Sequence, residues 1–419
     1  MKKRIIVIGG GFAGLQFLKH TKEGLFDIFL IDRLNHHQFQ PLFYQVATSQ
    51  IEPSSISFPL RKIFQNRKDI AIRLAEVLSV DPGNNTISTT AGILGFDYLV
   101  IATGAKTNFF GNEAIMKNAL SLKTTYEAIK IRNVILENFE NIINSDGIAD
   151  ESLFNIVIVG GGPTGVELSG AFAEIKRDII PKDFPGIDMS RLHIFLLEGG
   201  PHTLGTMSDM AKRKSEKYLN KLGVILKTGV FVKNYDGYLV TLSNGEVLKS
   251  INVIWAAGIT GNIIKGLSPE VITASGRLKV NRMNKVYGYE NIYAIGDIAY
   301  METPGYPKGH PQLANVAINQ GRNLAKNFKI ILKGGKQTEY EYKDLGSMAT
   351  VGRNKAVVDL PFIRFSGYFA WYIWMFLHLM LILSVRNKLI IFINWAWNYF
   401  TKNSSLRLIL KVEGRTNDH

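Results

Sequence analysis

Over most of the chain, apolar residues gather in short blocks bounded by glycine or charge. Ile5–Ile8, FDIFLID (26–32), FDYLVIATG (96–104), FNIVIVGGG (154–162), HIFLLE (193–198), NVIWAAG (252–258) and NIYAIGD (291–297) are such blocks. Runs of this kind form strands buried in a parallel sheet. LQFLKHTK (15–22) reads as a helix, and so does 121–143, where Thr124 and Glu127 make a capping box. Strands alternating with helices predict an α/β fold. After Pro361 the pattern changes. Phe365–Val385 runs 21 residues without Asp, Glu, Lys or Arg, and LIIFINWAWNYF (389–400) follows.

Two of the strand-like blocks end in the same turn. Gly9, Gly11 and Gly14 stand at G-x-G-x-x-G spacing, and Gly160, Gly162 and Gly165 repeat it. In such a turn the first glycine lets the chain bend and the second lets backbone approach a pyrophosphate. The third packs helix on strand, and the helix N-terminus supplies N–H groups and partial positive charge. Each unit then meets an acid at the end of its next strand, Asp32 in the first and Glu198 in the second, placed to bind a ribose diol. Residues 176–191 lengthen the second interval. The pair implies two dinucleotides on one chain.

Ala102-Thr103-Gly104 and Ala256-Ala257-Gly258 are parallel small-residue turns that allow close passage of a ligand. The second unit is closed by its own copy, so the strand at 291–301, ending in Gly296-Asp297, is assigned back to the first. The expected architecture is therefore α/β: two Rossmann-like dinucleotide-binding domains, the second inserted in the first, plus C-terminal membrane-associated helices. The expected boundaries are 1–120, 121–280, 281–360 and 361–419.

Composition narrows the chemistry. The 419 residues include no cysteine, which excludes disulfide reduction, cysteine-dependent sulfide oxidation and thiolate-held metals or clusters; no metal is expected. The net charge of +14 is scattered, without a run of five Lys or Arg, so nucleic acid is not expected as a partner. The start MKKRIIVIGGG has too short an apolar run for a signal peptide, and the nucleotide-binding body is expected in the cytoplasm. Glu198 repels a 2′-phosphate and no Arg or Lys follows in GGPHTLG, which favours NADH over NADPH.

The segments 32–48, 99–111, 157–174, 293–299 and 346–360 resemble the two-dinucleotide flavoprotein oxidoreductases, and within them the type II NADH:quinone oxidoreductases, over essentially the whole chain. The resemblance implies non-covalent FAD in the N-terminal site and NADH as substrate in the inserted one. It implies FAD contacts at Gly9, Gly11, Phe12, Ala13, Gly14, Asp32, Arg33, Gln45, Val77, Ala102, Thr103, Gly104, Asp297 and Ala314. For NADH it implies Gly160, Gly162, Pro163, Thr164, Gly165, Glu198, Ala257 and Gly258. GHPQLANVAINQG (309–321) resembles the helix beside the flavin and quinone, with Asn315 and Asn319 where the family has glutamines and Gln320 next. Asn315, Asn319 and Gln320 are the candidate quinone-side residues. Glu167 is either compensation of a helix dipole in its first turn or, by resemblance, an acid near the nicotinamide and quinone linked to proton delivery.

The implied reaction carries hydride from NADH to FAD and then two electrons to a membrane quinone, without proton pumping. A reductase of an iron–sulfur carrier and a non-catalytic redox flavoprotein remain rivals. Residues 365–385 are long enough to cross a bilayer as a helix, whereas the family attaches to one leaflet. Asn387, Asn394, Asn398 and Lys402 line one stripe of the second segment, which suits a helix lying in the interface. Beyond Pro361 seven basic residues face two acidic ones (Glu413 and Asp418), which suits an anionic lipid surface on the cytoplasmic face of a bacterial membrane. His378 either touches the quinone or is simply packed. A homodimer is left open.

Overall fold

The computed structural model describes residues 2–145, 148–403 and 406–410. Lys411, Glu413, Arg415 and Asp418, counted in the tail charge, lie outside the described residues. The chain forms two compact units. One comprises Met1–Gln38, Ser57–Lys106 and Ile259–Lys343; the other comprises Phe39–Ile56, Thr107–Gly258 and Asp344–His419.

The first unit is built on a five-stranded parallel sheet in the order Ile292–Ala294, Tyr98–Ile101, Arg4–Ile8, Asp27–Asp32, Ile70–Leu74. The 292–294 strand thus pairs with the 98–101 strand of the same sheet. Its central strands are buried on both faces, with Ile5, Ile6 and Val7 at 0% exposure, which is why they read as unbroken apolar runs. The helix Phe12–His20 packs beside the helix Ala314–Ile331. Gly321 makes that closeness possible, since a Cβ there would lie 2.4 Å from the Ala13 carbonyl oxygen.

The second unit repeats the plan: Leu120–Ser121, Asn252–Trp255, Asn155–Val159, His193–Glu198, Ile225–Thr228, all parallel. The helix read at 121–143 begins later, at Thr125, because 120–121 is taken up as an edge strand. Thr124 caps it, accepting from the Glu127 N–H, while a Glu127 carboxylate oxygen accepts from the Lys123 N–H at 2.7 Å. Three antiparallel strands, Ser347–Thr350, Ala356–Asp359 and Arg364–Gly367, lead into two helices, Tyr368–Leu381 and Val385–Thr401.

The 365–385 run is therefore not one helix. Its first residues pair as a strand, Gly367 turns at φ +99°, and the chain leaves helical geometry at Ile382. The helix between has 14 residues, about 21 Å at 1.5 Å per residue, short of the roughly 30 Å hydrocarbon core. Among the described residues, no helix is long and apolar enough to cross a membrane. Two asparagines of the stripe in the last helix face inward. Asn387 Nδ2 donates to the Ser55 carbonyl at 2.9 Å and Asn398 Nδ2 to that of Gln50 at 3.0 Å, while Leu389, Phe392, Ile393, Trp397 and Phe400 are exposed.

Candidate active site

The two glycine turns are built alike. Gly9 and Gly160 stand at φ +103° and +111°, and a Cβ on either would sit 2.4 or 2.5 Å from the carbonyl oxygen of Ala102 or Ala256. A Cβ on Gly14 or Gly165 would strike the carbonyl oxygen of Gly9 or Gly160 at 2.0 or 1.8 Å. Gly11 and Gly162, by contrast, have nothing within 4 Å of such a Cβ, and both begin helices without a side-chain cap. The open position and the uncapped helix start are what a diphosphate requires. Phe12 and Ala13 occupy the first turn of one helix, Pro163 and Thr164 that of the other.

Each closing acid is held by its own turn. Asp32 accepts from Gly10 N at 2.6 Å and Leu34 N at 2.8 Å; Glu198 accepts from Gly161 N and Gly200 N, both at 2.6 Å. Burial pushes the Asp32 carboxyl up, with these N–H groups opposing it. A carboxylate oxygen has lone pairs to spare after one such bond, so both acids can still receive a ribose hydroxyl.

In the first unit, Ala102 N donates to the Ile8 carbonyl at 2.8 Å. Thr103 Oγ1 donates to the Asn262 carbonyl at 2.7 Å, and Asn262 N to that of Gly104 at 3.0 Å. Gly296 N donates to Gln320 Oε1 at 2.8 Å, and the half-buried Asp297 follows it, its carbonyl accepting from Gln312 Nε2. Gln320 is fully buried and its Nε2 has no partner among the described residues. An unmet buried donor beside an open diphosphate turn fits a bound dinucleotide. Asn319 Nδ2 donates to Asn315 Oδ1 at 2.7 Å, one turn apart on the helix that Ala314 begins. Gln320 points into the core, on a different face from that pair. Val77 is a half-buried strand residue, and exposed Arg33 lies 3.8 Å from Glu76.

In the second unit, the Ala257 Cα packs against Gly160 and the Gly258 carbonyl accepts from Asn108 N at 3.0 Å. Glu167 is the fifth residue of the helix Pro163–Asp178, past its first turn, and only 8% exposed. A compensating charge at a helix start would stand in water at the first turn, so its setting is not that of dipole compensation. Burial raises its carboxyl to about 8, against a backbone N–H donated by Thr350 at 3.3 Å. Beside it, buried Tyr44 shares a hydrogen bond with Thr350 Oγ1 at 3.1 Å. Gln45 is buried here too: its Nε2 donates to Tyr44 Oη at 3.0 Å and its Oε1 accepts from Trp395 Nε1 at 2.8 Å.

A cavity of about 220 Å³ opens against this group, lined by Gln40, Tyr44, Lys123, Thr164, Glu167, Met348 and His378 among others. His378 stacks on Trp374 with ring centroids 3.9 Å apart, and its Nδ1 donates to the Trp374 carbonyl at 2.8 Å. Burial lowers its pKa to about 4. The ring is thus neutral, with Nε2 the unprotonated nitrogen. Tyr44 lay within the family-like segment 32–48 without a role of its own, and Trp374 carried no sequence signal beyond its place in an apolar stretch. Only the fold brings them to Glu167. Among the described residues no His, Cys, Asp or Glu cluster could hold a metal.

The class follows from comparison. Residues 3–321 match the pyridine nucleotide-disulphide oxidoreductase family, and the chain belongs to it. Residues 345–402 match the NDH2 C-terminal domain. A type II NADH:quinone oxidoreductase, Ndh, of Mycobacterium tuberculosis is 32% identical, over 96% of this chain and 89% of its own length. A type II NADH:quinone oxidoreductase of Staphylococcus saprophyticus is 28% identical, over 85% of this chain and 89% of its own. Within the larger class, then, the chain is a member of the type II NADH:quinone oxidoreductases, a family of FAD-dependent enzymes. NDH2 of Plasmodium falciparum, solved with NADH, shares the fold at a TM-score of 0.89 and 22% identity, over 98% of this chain and all of that one. A sulfide:quinone oxidoreductase of Aquifex aeolicus has the same fold at 0.74 and 21% identity, covering 96% of both chains.

Proposed function

We propose that the protein oxidises NADH and reduces a membrane quinone through bound FAD, without pumping protons. FAD would be held by the first turn, through Gly11, the Phe12–His20 helix start, Asp32, Thr103, Gly104 and Asp297. NADH would be held by the second, through Gly162, Pro163, Thr164 and Glu198. When bound, the flavin accepts hydride and returns electrons in pairs to a quinone. The protein's part is placement and proton supply. Glu167, neutral at pH 7, holds a proton at the wall of the substrate cavity; Asn315 and Asn319 offer an amide pair to the quinone side.

The observation that carries this reading is the cavity itself. The NADH-side residues Thr164 and Glu167 share it with Met348 and His378 of the C-terminal domain. That domain would also bring the enzyme to lipid. The exposed face of Leu389, Phe392, Ile393, Trp397 and Phe400 suits insertion into one leaflet, with Arg386 and Lys388 beside anionic headgroups on the cytoplasmic face. Anaerobic mixing tests the reaction. NADH bleaches the flavin absorbance, and a quinone analogue restores it. Restoration by an iron–sulfur protein and not by quinone overturns the assignment.

A further inference from the structure

Glu167 and Tyr44 border two cavities. On one side is the 220 Å³ cavity just described. On the other is a narrower one of about 80 Å³, also lined by Glu174, Asp178, Arg353, Trp374 and Lys402. That is room for a handful of waters, each needing about 10–15 Å³. The three acids lie on one helix at 167, 174 and 178. At about 100° per residue they fall within roughly 20° of one line along it.

The C-terminal domain is fitted to this line. Gly170 lies between the first two acids, and a Cβ there would sit 2.8 Å from Gly352 N. Its absence lets the 350–353 turn rest on the helix. Thr350 N then reaches Glu167 at 3.3 Å and Arg353 N reaches Glu174 at 2.5 Å. Trp374 Nε1 faces the same cavity and reaches towards the Glu167 carboxyl, whose charged form it favours. The acids are graded. Burial raises Glu174, as it raises Glu167, whereas Asp178 is held low by its bond to Arg177 at 2.6 Å. The other charged or titratable groups facing the path are Tyr44, Arg177 (3.9 Å from Glu174), Arg353, Lys355, Tyr399 and Lys402.

We propose that this narrow cavity is a proton inlet, in which water relays protons past Asp178 and Glu174 to Glu167. The inference rests on the quinone reductase reading above. The reaction NADH + H⁺ + quinone → NAD⁺ + quinol takes both electrons from NADH and one proton from solvent at each turnover. That proton leaves the Glu167 hydroxyl as an O–H bond forms on the quinone, and the carboxylate is reprotonated from the Glu174 side. Solvent protons thus have a route separate from the cavity that the substrates fill. Glu174 acts through Glu167 and touches neither substrate.

Glu174→Gln tests this, since it keeps the oxygen that accepts from Arg353 N but carries no proton. In anaerobic stopped flow, bleaching by NADH should match wild type. Reoxidation by a quinone analogue should slow by about tenfold or more near pH 8, less near pH 6, and recover with added formate. Asp178→Asn, at the outer end, should show the same pattern more weakly and serves if Glu174→Gln folds poorly. Wild-type reoxidation rates across this range in either folded variant, or a loss that is pH-independent and unrescued, overturn the inlet. A wild-type enzyme that bleaches but is not reoxidised by quinone overturns the functional reading and the inlet with it.

Discussion

A carboxyl buried among Tyr44, Thr350 and Trp374 holds its proton because the charged form would lose its hydration. Glu167, raised from 4.5 to about 8, binds a proton in the folded state that the unfolded chain releases. Its contribution to stability is therefore fully present below about pH 4.5 and falls as pH rises towards 8, by about 1.4 kcal/mol for each unit traversed. Glu167→Gln removes that dependence. Its melting temperature relative to wild type should climb steadily across this window, and a flat difference would show that the site is wetter than its geometry indicates. Glu198 poses the opposite problem, a charge wanted for what it excludes. Glu198→Gln puts an amide NH₂ against one of two backbone donors. The loss of a charge-assisted bond, about 1.5–3 kcal/mol, should raise the KM for NADH by about ten- to a hundredfold with kcat little changed. The ratio of NADPH to NADH use should rise at the same time, because the repulsion of a 2′-phosphate is gone.

At the level of elements, the fingerprint strands and turns were legible because their physics is local. A short β-branched apolar block closed by glycine reads as a doubly buried strand, and the glycines answer contacts within a few residues or one strand away. Gly170 is a different case. A glycine within a helix normally costs about 0.5–1 kcal/mol relative to alanine, and nothing in ELSGAFAE shows why it is tolerated. The reason is long-range: the 350–353 turn lies against it. Gly170→Ala should thus reverse the usual sign and destabilise by about 1–3 kcal/mol through overpacking, read as a lower urea midpoint. The strand Arg364–Gly367 was hidden for a similar reason. Its pairing with Ala356–Asp359 overrides a hydropathy pattern that, taken alone, runs on into the following helix. Likewise Gln320 sits next to Asn319 in sequence, yet the helical turn sends it into the core to hold Gly296.

For the whole molecule, the proposed attachment to lipid rests on the last helix. Read along the sequence, its asparagines looked like the solvent side of an interfacial helix. Two of them, Asn387 and Asn398, are instead spent on the protein, on the carbonyls of Gln50, Ser54 and Ser55, because those loop carbonyls need donors. The apolar side is left facing outward, with Phe400 at 81% and Trp397 at 60% exposure. Residues so exposed contribute little to the fold, so replacing them should separate attachment from stability. Burying an aromatic or leucine side chain in lipid is worth about 1.5–3 kcal/mol. Phe392→Ser with Trp397→Ser should therefore weaken co-sedimentation with anionic vesicles by more than about tenfold, with the melting temperature nearly unchanged. Raising salt should release part of the wild-type protein, the part held by Arg386 and Lys388, and leave a salt-resistant remainder that the double variant lacks. Oxidation of NADH with a water-soluble quinone analogue should survive in that variant, while turnover with a long-chain quinone confined to the vesicle falls with the bound fraction. Equal loss of both activities would place these side chains in the catalytic unit's stability instead of at the bilayer.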